Sequence, residues 1–258
     1  MEPNLKIEES FLQKLFRITL QQGSIPKHIA FVLDGNRRYA KERDMKTIGG
    51  HRKGYSIDWA MLCGVQEVTA FVFSINNFDR AASEVQGVMS LFKEKIEHKL
   101  VHPEELEGKC YQFIGNWSLV PQDLKPVISK LITVTKHNKT IVINIALAYT
   151  GRDEITSGVN SLLQCTRHNG IDLDTLNESL FEKYFHDFPV SSVDLLIRTG
   201  ESRLSDFVTW ESSDQAVLCF CDETTERTGS SESVEFLDEF PPLPPPTEKR
   251  PTPPIPPP

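Results

Sequence analysis

The chain has 258 residues, 39% of them hydrophobic, which suits one α/β domain of roughly 220 residues and a tail. The formal net charge of −8 argues against nucleic acid as a partner, because such partners call for a basic face. That charge is uneven: Asp222 to Pro258 holds eight acidic and three basic residues, which leaves only −3 on the first 221. Five cysteines (Cys63, Cys110, Cys165, Cys219, Cys221) form no C-x-x-C pair and no zinc spacing. They read as reduced thiols in the cytosol or on a cytosol-facing surface. The start Met-Glu-Pro lacks the apolar stretch of a signal peptide. The longest near-apolar run, Ile141 to Tyr149, is too short to span a bilayer.

Residues 6–22 read as an amphipathic helix, with Ile7, Phe11, Leu12, Leu15, Phe16 and Ile18 on one side and Glu8-Glu9 in the first turn. Such a helix packs on its own domain, or it rests on a membrane surface or at the mouth of a lipid tunnel. Strand and helix signals then alternate. Strands are predicted at 28–33, 67–74, 110–115, 140–148 and 193–197, and helices at about 36–43, 51–62, 84–100, 121–136, 152–166 and 177–186. Ser83-Glu84-Val85-Gln86 has the spacing of a capping box, and Val85, Val88, Met89, Phe92 and Ile96 follow at helical period. Pro121 suits a first helical position ahead of Leu124, Val127, Ile128 and Leu131. Cys219-Phe220-Cys221 reads as strand filler rather than a redox pair. Interleaved strands and helices imply a mostly parallel central sheet flanked by helices on both faces, in which ligands bind beyond the carboxyl ends of the strands. Asp34, Ser74 and Arg198 sit at three such ends.

The composition changes at about Asp222. Thr, Ser, Glu and Asp dominate to Asp238, and 11 of the 17 prolines lie after residue 240. The expected organisation is therefore an N-terminal amphipathic helix (1–24), a catalytic domain (25–221) and an acidic, Pro-rich disordered tail (222–258) prone to polyproline II.

Four clusters carry chemistry. In the first, the apolar run Ile29 to Leu33 stops at Asp34-Gly35-Asn36, and Arg37-Arg38 follow at a helix start. Gly35 permits close backbone approach, the helix start offers N–H groups to an anion, and Asp34 offers oxygen to Mg²⁺. The second, Gly49-Gly50-His51-Arg52-Lys53-Gly54, places a histidine and two cations before a helix, a plausible diphosphate contact. The third is Phe73-Ser74-Ile75-Asn76-Asn77-Phe78-Asp79-Arg80, at a strand end. The fourth, Asp194 to Phe207, delivers Arg198 from a buried strand and Arg203 and Ser205 from the following loop, a set able to clamp a diphosphate through bidentate hydrogen bonds.

Together these clusters resemble the cis-prenyltransferases, the undecaprenyl and dehydrodolichyl diphosphate synthases, from about Ile25 to Phe220. The doubled Arg37-Arg38 and Ser205-Asp206-Phe207 are similar to the eukaryotic dolichol branch. The resemblance implies Mg²⁺-dependent condensation of isopentenyl diphosphate onto farnesyl diphosphate, giving long-chain polyprenyl diphosphate for dolichol synthesis and protein glycosylation. It implies that Gly35, Asn36, Arg37, Arg38, His51 and Arg80 hold the allylic diphosphate. Arg198, Arg203 and Ser205 would hold isopentenyl diphosphate, and Asp34 the metal. Ser74 and Asn76 would position or deprotonate the isopentenyl unit. Val85, Val88, Met89 and Phe92 are candidates for the wall of a product cavity. It further implies a heteromer with a Nogo-B receptor-type accessory subunit, peripheral on the cytosolic face of the endoplasmic reticulum membrane.

The chain departs from that pattern in three places. The stretch between His51 and Val68 is about five residues short. Arg198-Thr-Gly-Glu-Ser-Arg203 lacks one residue of the usual loop, which would move Arg203 relative to Arg198 by up to about 3.5 Å. Beyond Phe220 the expected Leu-Trp-Pro-Glu and closing helix are replaced, so the catalytic domain reads as C-terminally incomplete. The alternative function is an inactive form that binds a partner or serves as an SH3-type ligand through its prolines. A generic nucleotide-binding domain has little support, since G-x-G-x-x-G and G-K-[ST] are both missing.

Overall fold

A computed structural model describes residues 22–32, 55–169, 177–183, 190–199 and 201–221. The helices expected at 6–22 and 36–43, and the tail from 222, lie outside these residues, apart from Gln22. Six strands form one sheet: β1 (His28–Val32), β2 (Glu67–Ser74), β3 (Lys109–Ile114), β4 (Ile141–Tyr149), β5 (Leu195–Thr199) and β6 (Val217–Cys221). Their order is β3-β4-β2-β1-β5-β6, and every pairing is parallel. Five strands stand within two residues of their predicted bounds. The sixth, β6, is not among the predicted strands. Among the described residues it pairs only with β5, at the edge, and Val217, Leu218 and Phe220 are exposed there, so burial gives its short run no alternating signature.

The helices are α1 (Tyr55–Cys63), α2 (Ala82–Val101), α3 (Lys125–Thr135), α4 (Gly151–Asn169) and α5 (Glu178–Glu182). Two of the predicted starts are displaced. α2 begins before Ser83, its N-cap is Ala81, and no side chain caps it, so the Ser83 capping box does not form. Instead Arg80, just outside the helix, pairs with Glu84 in its first turn at 3.0 Å. α3 begins at Lys125 rather than at Pro121, whose carbonyl accepts from Leu124 N and Lys125 N in a preceding turn. Pro126 is the proline of the first helical turn, where a missing N–H costs nothing.

All eight residues of β2 are buried, and β4 is almost wholly so. A parallel sheet covered on both faces requires such continuous apolar runs. The larger core joins β2 and β4 to Val88, Met89, Phe92 and Ile96 of α2 and to Ile128 and Leu131 of α3. The Phe92 ring meets Phe113 edge-on, with centroids 6.0 Å apart. Val88, Met89 and Phe92, the cavity-wall candidates, are thus core residues here, with Val85 partly buried against them. The second core gathers Ala30, Val32, Phe71, Tyr149, Leu196, Phe207 and Val208. Phe207 stacks on Phe71 (4.6 Å, 12° between planes) and meets Tyr149 edge-on at 6.0 Å. It anchors the loop after β5 to the sheet. Phe207→Ala should cost about 3–5 kcal/mol of stability. Urea unfolding checks this, and a loss under 1 kcal/mol would mean that the stack does not hold the loop.

Candidate active site

Strand order reverses direction beside β1: the chain passes first to β2 on one side and later to β5 on the other. In open parallel sheets the crevice beyond the carboxyl ends at such a point is where ligands bind. Ser74 ends β2, and Arg198, the penultimate residue of β5, pairs with Val32 of β1. Strand spacing puts β2 and β5 about 10 Å apart across β1. Asp34, Gly35, Asn36, Arg37, Arg38 and His51 lie outside the described residues. Arg198, Arg203 and Ser205 come together in one loop, while Ser74, Asn76 and Arg80 lie beyond β2 at the same edge.

The Arg198 guanidinium is the largest side chain that is fully buried, with its group only 2% exposed. Its Nη2 donates to Glu201 Oε2 at 2.6 Å and its Nη1 to the Arg203 carbonyl at 2.5 Å. Arg203 Nε donates to the same Glu201 oxygen at 2.6 Å, with its own side chain half exposed. One carboxylate therefore binds two guanidinium groups, so the trio Arg198, Glu201 and Arg203 keeps one net positive charge. The short loop does not separate the two arginines, because Glu201 ties them. Glu201, to which the sequence pattern gave no role, is the residue that links them. Its position between two arginines is the signal that marks it.

The backbone beyond Arg203 is held in an uncommon conformation. Ser205, Asp206 and Val208 all have positive φ (52°, 63° and 37°). Helix α4 fixes them: Gly151 N donates to Asp206 O (2.7 Å), Arg152 N to Asp206 Oδ1 (3.1 Å), and Arg152 Nε to Asp206 Oδ2 (2.9 Å). Asp206 thus accepts from a free N–H at the α4 start, as a capping carboxylate does. Ser205, half-buried, is presented by this strained segment.

On the β2 side, Ser74 is buried and its Oγ accepts from Asn76 N at 3.2 Å, capping the 3₁₀ turn Ile75–Asp79. Asn76 itself is exposed, whereas the adjacent Asn77 is buried and its Nδ2 has no partner among the described residues. Arg80 is held by Glu84 and lies over the Phe73 ring, 5.6 Å from its centroid. Burial, unreadable from the loop's composition, separates Asn77 from Asn76.

Behind the loop, Tyr149 Oη donates to Glu154 Oε2 at 2.5 Å, and buried Glu211 adds charge beside them. Burial and then the Glu211 charge raise the Glu154 carboxyl to about 9. Burial and both carboxylates push the Tyr149 phenol well above its usual range.

The model of the undecaprenyl diphosphate synthase family of prenyltransferases matches residues 32–241. The chain belongs to this family. It is 35% identical over 225 residues to the human dehydrodolichyl diphosphate synthase complex subunit DHDDS, covering 84% of this chain and 66% of that protein. The chain thus spans just under two thirds of that relative's length. It is also 35% identical over 219 residues to the dehydrodolichyl diphosphate synthase complex subunit SPAC4D7.04c of Schizosaccharomyces pombe, covering 82% and 83% of the two chains. The crystal structure of lavandulyl diphosphate synthase from Lavandula x intermedia, in complex with dimethylallyl diphosphate, superposes with a TM-score of 0.69. It is 26% identical over 84% of this chain and 95% of that one. The family fold accounts for the parallel sheet.

The folded protein holds the Glu154 proton to about 9, whereas an unfolded chain releases it near 4.5. The contribution is therefore full below about 4.5 and is lost as pH rises toward 9, so stability falls with pH across that window. Glu154→Gln keeps a neutral side chain of the same shape and should flatten the decline in Tm between pH 5 and pH 8.5. An unchanged slope in the variant would refute the buried protonated carboxyl.

Proposed function

We propose that this protein elongates a prenyl chain by condensing isopentenyl diphosphate with an allylic diphosphate, farnesyl diphosphate for the dolichol branch. The observation that carries the reading is the Arg198–Glu201–Arg203 clamp, built on buried Arg198 at the carboxyl edge of the sheet beside β1, in a member of this family. A diphosphate is the ligand that two guanidinium groups and a hydroxyl on a rigid loop suit best. Arg198, Arg203 and Ser205 take isopentenyl diphosphate. Arg80, with Gly35, Asn36, Arg37, Arg38 and His51, takes the allylic diphosphate. The lavandulyl enzyme's bound dimethylallyl diphosphate supports an allylic ligand in this fold.

The metal falls to Asp34 by the family resemblance, as the carboxylate that follows the apolar run of β1, while Glu201 is already bound by two arginines. One carboxylate with diphosphate oxygens and water is the oxygen-rich set that Mg²⁺ takes. Bound there, Mg²⁺ would supply positive charge to the diphosphate oxygens of the leaving group. The arginines of the chain orient both diphosphates and stabilise the charge that develops as the allylic C1–O bond breaks. The double bond of the isopentenyl unit forms the new bond to C1, and a proton then leaves the isopentenyl unit to give a cis double bond. Ser74 and Asn76 position that unit at the end of β2. The apolar residues around the edge exclude water from the cationic centre.

The human and fission yeast relatives are named as subunits of a complex. That likeness supports work in a complex; the family resemblance of the sequence adds an accessory subunit of the Nogo-B receptor type and the cytosolic face of the endoplasmic reticulum membrane. No helix among the described residues is long and apolar enough to cross a membrane, and peripheral attachment needs none.

Incorporation of labelled isopentenyl diphosphate into long-chain lipid tests the reading, with farnesyl diphosphate, Mg²⁺ and the accessory subunit present. Asp34→Ala should abolish incorporation. Arg203→Ala should raise KM for isopentenyl diphosphate about 10- to 100-fold, the loss of a charged hydrogen bond. Soluble protein that incorporates nothing, or an Asp34→Ala variant as active as the parent, would reject it.

A further inference from the structure

Helix α2 starts at the candidate active site and runs 20 residues, about 30 Å, away from it. At its far end His98 and His102 lie one turn apart on one face, their rings stacked with centroids 4.1 Å apart and 21° between planes. His102 is the C-cap residue, and Pro103 ends the helix by opening the 3₁₀ turn Pro103–Leu106. Glu105 N donates to the His102 carbonyl at 3.0 Å, so this turn folds Glu105 back toward the two histidines. One ligand atom from each of His98, His102 and Glu105 lies within 4.8 Å of the others.

Three features suit this corner to a transition-metal ion. The His102 Nδ1–H donates to the His98 carbonyl at 2.8 Å, which fixes the ring and leaves the Nε2 lone pair as the ligating atom. A metal-binding histidine is commonly oriented in this way through its other nitrogen. The carboxyl end of a long helix carries partial negative charge that favours a cation. The set of two imidazoles and one carboxylate suits Zn²⁺ and its neighbours, whereas Mg²⁺ takes oxygen ligands. Tetrahedral ligation brings such donors to about 3.3 Å of one another. His98 is exposed and Glu105 half-buried, so side-chain rotation is what would close the remaining distance. Lys99 Nζ, 3.7 Å from Glu105 Oε2, is the cation that the metal would displace.

We propose that His98, His102 and Glu105 form a Zn²⁺ site, separate from the diphosphate site, that clips the end of α2 to the turn leading into β3. Water completes the coordination, because the corner is open to solvent. The site rests on none of the residues assigned to prenyl transfer.

Titration of the metal-free full-length protein with Co²⁺, read by visible absorption, and displacement by Zn²⁺ test it. The expected result is one equivalent per chain with a nitrogen and oxygen ligand spectrum, and a Tm that rises with added Zn²⁺. His98→Ala, at an exposed position, should lower the affinity about tenfold or more, and Glu105→Gln should lower it as well. His137→Ala, an exposed histidine elsewhere, should bind as the parent does. The site is overturned if the parent binds no Co²⁺ or Zn²⁺. Affinity unchanged by His98→Ala, or a thiolate charge-transfer band that places the ion on cysteine, overturns it equally.

Discussion

Burial of the Arg198 guanidinium is the constraint on which the candidate site depends. A buried cation is tolerated only when it is paired and hydrogen-bonded. Here the partners come from its own loop: the Glu201 carboxylate and the Arg203 carbonyl. The sheet thus fixes Arg198, Arg198 fixes Glu201, and Glu201 fixes Arg203. The loop that carries the anion-binding groups is organised before any anion arrives, and preorganised charge of this kind is what transition-state stabilisation requires.

The opposite end of the sheet is tied by a buried polar network. His28 of β1 bonds the Thr69 hydroxyl at 2.7 Å and the Ser191 carbonyl at 2.9 Å. Asn144 of β4 donates to Glu67 at 2.6 Å and to Thr69 at 3.0 Å, and Ser191 Oγ donates to Glu67. Three neighbouring strands and the segment that leads into β5 are thereby locked in register. A parallel sheet of apolar strands has no alternation to fix its pairing, so polar contacts of this kind specify it. Register matters for function, because it sets the height at which Ser74 and Arg198 leave the sheet.

Between the two ends, the loop after β5 is held from behind. Phe207 fills the smaller core, and Asp206 binds the start of α4. Glu154, from the first turn of α4, accepts a hydrogen bond from the Tyr149 hydroxyl beside buried Glu211. The positive φ values at Ser205, Asp206 and Val208 persist because these contacts over-determine the segment. Strain at a ligand-binding loop is thus supported by the core and by one helix N-terminus.

The alternation of apolar runs and helical periods by itself determined five strands, the positions of the five described helices, and the parallel sheet. The signatures around Asp34, His51, Arg80 and Arg198 together led to the family. Periodicity is a local property, and the chain carries it wherever a face is buried. Edge strand β6 escaped because a short, exposed strand has no face-specific pattern. The starts of α2 and α3 moved: α2 begins after Ala81 with no side-chain cap, Glu84 being taken by Arg80, and Pro126 rather than Pro121 stands in the first turn of α3. Only the tertiary structure decided that Asn77 rather than Asn76 is buried, and that Glu201 bridges two arginines. It alone brought Asp206 to α4, 54 residues away, and shaped the buried Glu154 site. Those outcomes depend on which side chains lose water when distant segments meet, and local spacing carries no record of that.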